Sequence, residues 1–286
     1  MKTLTPHKVM APSRQHNVAR ARSAQGAARP AWGHAAWGAL LGIGVALLVW
    51  APARWLAWGV AQASQGQVQW LDPRGTVWAG SAQLALTGGT GSRDPQALPG
   101  RLHWELTPGW TGLNMTWLAD CCMAQAARLQ VQAGWSTWQL QSSDLNSQWP
   151  AGLLTGLGAP WNSLQPDGQL QLKTQSLALH WAQGRMQMKG LAQLHVQNLS
   201  SRLSPIKPMG SYQLQIRGTP EGTPTPSLQL STLQGPLLIS GQGQWVGARL
   251  RFTGEASAQE GHEPALNNLL NILGRRQGTR SLISLG

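Results

Sequence analysis

The sequence predicts a mainly β protein in which an N-terminal single transmembrane helix is followed by a curved antiparallel β-sheet (a sandwich, half-barrel or open groove) with one or two short helices. Three observations predict it. No residue between Ala31 and Ala53 is charged at neutral pH. Beyond Gln65, apolar and polar residues alternate in runs, the period of a half-buried strand. Clusters of Gly, Pro, Asp and Ser separate those runs, as turns separate strands.

The uncharged segment is densest over Ala35–Trp50 and reaches the ~20 apolar residues that a bilayer core requires once Trp55 is included. Pro52 lies near its outer end, and Arg54 has a stem long enough to reach water. Trp32 and Trp37 at one end, and Trp50, Trp55 and Trp58 at the other, suit the headgroup layers. Lys2, Lys8, Arg14, Arg20, Arg22 and Arg29 all precede the segment, and no acidic residue occurs before Asp72. By the positive-inside rule the N-terminus stays cytoplasmic and the remainder is translocated. Ala61-Gln62-Ala63 has the form of a signal-peptide cleavage site. The long basic region and the Pro52–Trp58 stretch before that site favour a retained anchor. Gly38 and Gly42 form a small-xxx-small pair on which a second membrane helix can pack.

Alternation is clearest in Gln67–Leu71, Ser81–Leu86, Arg101–Leu106, Arg128–Gln132, Gln169–Lys173, Leu191–Val196, Tyr212–Ile216 and Ala248–Phe252. Asp72-Pro73-Arg74-Gly75 reads as the turn between the first two runs. The outward residue is often Gln, so the pattern describes a meander with one wet and one apolar face. Two apolar segments break the alternation. Trp149–Gly158 reads as a short helix, and Glu263–Gly274 reads as a better one, with Pro264 near its start and Gly274 at its end. Leu266, Leu269, Leu270 and Leu273 make one stripe suited to packing on the sheet. The domain plan is therefore a disordered basic tail (1–30), a transmembrane helix (31–58), a β domain (66–276) and a flexible C-terminal tail (277–286).

Composition narrows the function. Charged residues are only 11% of the 286, against about 25% in soluble domains, and the formal net charge is +12. Six of the 22 basic residues lie in the tail, leaving sixteen scattered against ten acidic, without the dense patch that nucleic acid requires. Sixteen Trp accompany one Tyr and one Phe, and Trp is read as filling the core and the sheet face. Cys121 and Cys122 are adjacent and can join only through an eight-membered ring. They read as ordinary side chains at a strand end, with a vicinal disulfide as the alternative in an oxidising compartment.

Catalytic signatures are missing: no HExxH, GxSxG or Walker sequence occurs. Ser204-Pro205-Ile206-Lys207 has SxxK spacing, but Pro205 and Pro208 disfavour the helix that this chemistry uses. Gly241-Gln242-Gly243 departs from dinucleotide-loop spacing and reads as a strand with bulges. His180 and His195 are placed to approach across strands, yet without carboxylates they make a poor metal site. No catalytic residue, cofactor or metal is expected.

Several blocks, in order, resemble the type II secretion system protein N (GspN) family. They are Gly75-Thr76-Val77-Trp78-Ala79-Gly80; Pro150–Leu154 with Gly156–Leu164, which includes Pro160 and Trp161; Leu203–Ile206 with Met209–Tyr212; and Leu250–Ala256 with the Leu-rich segment ending at Arg276. The resemblance implies a non-enzymatic accessory component of the machine that exports folded periplasmic proteins across the outer membrane. It implies an inner-membrane location with the β domain in the periplasm. Its implied partners are other inner-membrane secretion components and the secretin. Gly75, Thr76, Val77, Trp78, Gly80, Pro160, Trp161 and the four leucines then become candidate interaction residues. The alternative is a periplasmic protein that binds or transfers lipid in an apolar β groove.

Overall fold

The computed structural model describes residues 32–89, 95–182, 185–218, 225–247 and 249–286. Two helices come first, α1 (Trp32–Val49) and α2 (Ala53–Ala63). The span expected over 31–58 is thus divided at Trp50-Ala51-Pro52, because Pro52 has no N–H to continue the first helix and instead caps the second. The described side chains of α1 are exposed. Among the described residues no helix is long and apolar enough to cross a membrane. The tail, residues 1–30, lies outside the described residues. The chain divides within α1 into two units, Met1–Gly44 and Val45–Gly286, and the second contains the whole sheet.

Sixteen strands follow. The first seven are β1 (Val68–Gly75), β2 (Ala79–Leu86), β3 (Gln96–Ala97), β4 (Leu102–Pro108), β5 (Gly112–Ala119), β6 (Ala127–Ala133) and β7 (Thr137–Ser142). After β8 (Leu145–Pro150) come a 3-10 helix (Ala151–Leu157) and the single turn α3 (Trp161–Leu164). Then follow β9 (Asp167–Ala182), β10 (Arg185–Ser200), β11 (Gly210–Arg217), β12 (Ser227–Gln234), β13 (Leu237–Val246) and β14 (Arg249–Ala258). The chain closes with α4 (Glu263–Leu273), β15 (Arg275–Gln277) and β16 (Arg280–Leu285).

All strands join one open sheet in the order β1-β2-β4-β5-β6-β7-β9-β10-β11-β12-β13-β14-β16-β15, with β3 on β2 and β8 on β9. Every pairing is antiparallel. This is the meander that alternation predicts, since sequential antiparallel strands need only short turns. Both β7 and β8 pair with β9, at Ala178–Ala182 and Gln169–Thr174, so they form one line interrupted near Ser143.

Cross-strand register confirms a two-sided sheet. Leu113, Val131, Leu140, Leu179 and Met188 are successive partners on one face. Asn114, Gln130 and Gln141 are partners on the other. The apolar face is closed in two places. Under the first strands lie Leu98, Leu102, Ala119, Cys122, Met123 and Ala127, with Ala53, Ala82 and Trp104 beside them where α2 covers the sheet. Under the last strands lie Met209, Tyr212, Leu237 and Ala256, sealed by Leu266, Leu269 and Leu270 of α4. Leu273 packs at the edge of that cluster. Burial pushes the Tyr212 phenol pKa up, so it stays a neutral donor to the Leu237 carbonyl at 3.1 Å.

Four expectations change. Asp72-Pro73 does not reverse the chain. It forms a bulge within β1, with Asp72 at φ 46°, and the reversal comes at Thr76-Val77-Trp78. Gly241 and Gly243 sit in a strand whose register with β14 runs without a shift. Their missing side chains make room for Phe252, whose Cζ lies 2.3 Å from where a Gly241 Cβ would be. The segment 277–286, expected as a flexible tail, forms β16, which pairs with β14 and anchors its Ser281 hydroxyl on the Leu270 carbonyl at 2.7 Å. His180 and His195 do not approach: His180 faces Gln187, while His195 faces Gln171 in the other half of the β9–β10 hairpin.

Leu270 is fully buried. Leu270→Ala should therefore cost about 2–5 kcal/mol and lower the denaturant midpoint of the full chain. Leu273→Ala, at the cluster edge, should cost distinctly less.

Candidate interaction site

The block Gly75–Gly80 builds the β1–β2 turn. Gly75 has φ +89°, a conformation that glycine adopts without strain. Gly80 stands opposite it, and a Cβ there would lie 2.4 Å from the Arg74 carbonyl and 2.6 Å from Trp104 Cζ2. Thr76 closes the turn. Its N–H donates to the Ala79 carbonyl at 2.8 Å, and its hydroxyl accepts from the Ala79 N–H at 3.1 Å.

The next two residues reach outward to other segments. The Val77 N–H donates to the Ala51 carbonyl at 2.8 Å, and the Val77 carbonyl accepts from Trp104 Nε1 at 3.1 Å. Trp78 Nε1 donates to the Leu48 carbonyl at 2.8 Å, and its own carbonyl accepts from the Leu106 N–H at 2.6 Å. Pro52 forms a bridge with Thr76. The block is therefore a clamp. It ties the α1–α2 connector, through the otherwise unfilled carbonyls of Leu48 and Ala51, to the first strands of the sheet. Trp70 packs on Trp104 at 4.6 Å between ring centroids, behind the clamp.

Charged pairs secure the neighbouring bulge. The Asp72 carboxylate meets Arg74 at 2.8 Å and Arg101 at 3.1 Å. Those hydrogen bonds hold its pKa below the ordinary 3.8. The stabilisation is complete above that value and is lost as pH falls through the lowered pKa. It is small, because the groups are solvated. Asp120 is likewise held low by its hydrogen bond with His103, at 3.2 Å.

The structure does not gather the other candidates here. Pro160 and Trp161 lie after β8, at the opposite end of the sheet, on an exposed surface with Trp161 37% accessible. Leu266, Leu269 and Leu270 are core residues facing the sheet. On α1, a Cβ at Gly38 or Gly42 would meet nothing within 4 Å, so that face is open. Cys121 and Cys122 are joined as a vicinal disulfide. Ser204 is buried, and its hydroxyl accepts from the Ile206 N–H at 3.2 Å in a non-helical loop. Among the described residues, no three His, Cys, Asp or Glu side chains converge as a metal site.

Sequence reasoning missed the clamp's partners, Leu48 and Ala51, because they act through backbone carbonyls. It also missed the full exposure of Trp110 and Trp135. The signal was present: both stand among glycines in turns, Gly109-Trp110-Thr111-Gly112 and Gly134-Trp135, where nothing can cover an indole.

A family model described as type II secretion system (T2SS), protein N, matches residues 66–282. No curated protein and no solved structure matches the chain.

The clamp predicts a graded response. Gly80→Val should destabilise the full chain strongly, because one obstructing group is strand backbone, the Arg74 carbonyl, and the other is the buried Trp104 ring. Trp78→Phe removes only the Leu48 hydrogen bond and should cost about 0.5–1.5 kcal/mol. Limited proteolysis should then show faster cutting at Trp50–Pro52 in both variants, fastest in the first.

Proposed function

The chain belongs to the type II secretion system protein N family, which gives it a role in type II secretion, and from that premise we propose that it is a non-enzymatic accessory component working through protein–protein contacts. Its partners in this reading are other inner-membrane components of the machine, with the secretin as a further candidate. The match over 66–282, nearly the whole β domain, carries the reading.

The proposed topology is a single pass through the inner membrane, with residues 1–30 cytoplasmic and the β domain periplasmic. The six basic residues before Ala31 and the uncharged segment after it support this. The Cys121–Cys122 disulfide suits an oxidising compartment. Gly38 and Gly42 are proposed to pack against a partner's membrane helix.

Among the candidate contact residues, Pro160 and Trp161 are the ones that reach the surface as an apolar pair. The Gly75–Gly80 block is assigned to holding the connector, and the α4 leucines to the core. A second reading, lipid held on the apolar face, is supported by Val131, Leu140 and Leu179, which lie between the two closed cores and are only half-buried. These three are register partners, and among the described residues no helix belongs to a core cluster over them.

A photocrosslinking residue at Trp161 in the full chain should capture an inner-membrane secretion component, whereas the same residue at Leu270 should capture nothing. Deletion of the gene should reduce export of the machine's substrates. Unchanged export together with no crosslink from Trp161 would reject the adaptor reading. Lipid retained by the purified full chain, and lost in Leu140→Asn, would favour the second.

A further inference from the structure

One end of the sheet carries the β1–β2, β4–β5, β6–β7 and β9–β10 turns, since each of these hairpins closes in the same direction. Exposed indoles collect there. Trp110 in the β4–β5 turn and Trp135 in the β6–β7 turn are fully exposed. Trp138 and Trp181 are direct cross-strand partners next to the β6–β7 and β9–β10 turns, and they are 58% and 48% exposed. The register sets these turns side by side: the Ala133 N–H donates to the Thr111 carbonyl at 3.0 Å, and Thr137 pairs with Ala182. Trp50, 79% exposed, precedes Ala51 and Pro52, which are held by the β1–β2 turn at this same end.

At this end the exposed cations outnumber the exposed acids among the described residues: Arg54, Arg74, Lys189, Arg217 and Arg249 stand against Asp72 and Glu105. Lys189 and Arg249 are exposed on strands at this end. The other end carries Asp120, Asp167 and Glu260 together with the exposed cations Arg128, Arg202, Lys207 and Arg280. The other end has one exposed indole, Trp161 on α3.

From this arrangement we infer that the turn end of the sheet is a docking rim for a bilayer surface carrying anionic headgroups. An indole on a turn, with an apolar ring and one N–H donor, suits the interfacial layer. Protein hot spots are packed together in pockets; Trp110 and Trp135 instead stand on separate, neighbouring turns, with Trp138 and Trp181 paired beside them, which fits a plane. Lys and Arg beside them add attraction to anionic lipid. The half-buried apolar face begins immediately behind the rim, because Leu140 and Leu179 are the next apolar pair below Trp138 and Trp181. The inference draws on the anchoring reading only in supposing that a bilayer is within reach, because the chain enters the sheet at this end through Leu48–Pro52.

The test uses the full chain in liposomes. A thiol is introduced singly by Trp110→Cys, Trp135→Cys, Glu260→Cys or Leu47→Cys and labelled with an environment-sensitive fluorophore. The native cysteines are not free to react. Trp110, Trp135 and Glu260 are solvent-facing, so labelling there leaves the core intact. Blue-shifted emission at 110 and 135, quenched by lipid spin-labelled at the headgroup, is expected in anionic vesicles. Emission at 260 should be neither shifted nor quenched. Unquenched probes at 110 and 135, with a quenched probe at 47, would overturn the rim while leaving the anchor standing. Quenched rim probes with an unquenched 47 would support the rim and overturn the anchor. Equal quenching at 260 and at the turns, or equal quenching in neutral and anionic vesicles, would overturn the rim as an oriented anionic-lipid site.

Discussion

The antiparallel ladder is the constraint on which everything else rests. Each strand satisfies its backbone groups on the strands beside it, and a strand taken from the middle would leave two rows of donors and acceptors open. The β9–β10 hairpin is the longest segment of that ladder, 16 residues on each side, and it receives both β7 and β8 on one flank. A single sheet, however, has two faces and can bury its apolar one only against something. Here α2 covers the first strands and α4 the last ones, so two cores form at the two halves of one continuous sheet. The strands between them keep a half-buried apolar face. That incomplete closure is a direct consequence of having few helices for many strands.

The same economy explains the division of labour among the residues that resemble the secretion family. Gly75, Gly80 and Trp78 serve backbone geometry, because a tight turn must pass close to Trp104 and still fill the carbonyls at the end of α1. Leu266, Leu269 and Leu270 serve burial. Residues concerned with packing are poor candidates for contact with a partner, since whatever they touch is already inside. The surface is left to Pro160 and Trp161 at one end and to the turn indoles at the other.

Much of the fold is legible locally. Helix α4 begins and ends where Pro264 and Gly274 put its limits, because caps and glycine act within one turn. Strand runs such as Arg101–Leu106 and Leu191–Val196 announce themselves by alternation, which is a property of the pleat alone. Asp72-Pro73 misleads for an equally local reason: the residues that make turns also make bulges, and only pairing with Leu71–Arg74 against Gln83–Ser81 separates the two. The C-terminal residues look like a tail because their strand is short and its partner, β14, lies before a helix.

What the sequence by itself determined is the identity of each segment: an uncharged helix behind a basic tail, alternating strands, and a leucine-striped helix. Each of these depends on neighbours a few positions away. The tertiary structure alone decided which carbonyls the Trp78 turn would hold, which tryptophans would be buried as Trp104 is and which exposed as Trp110 is, and where β16 would return. Those outcomes depend on strand register and on the level each turn reaches along the sheet, and both are set by pairings between residues distant in the chain.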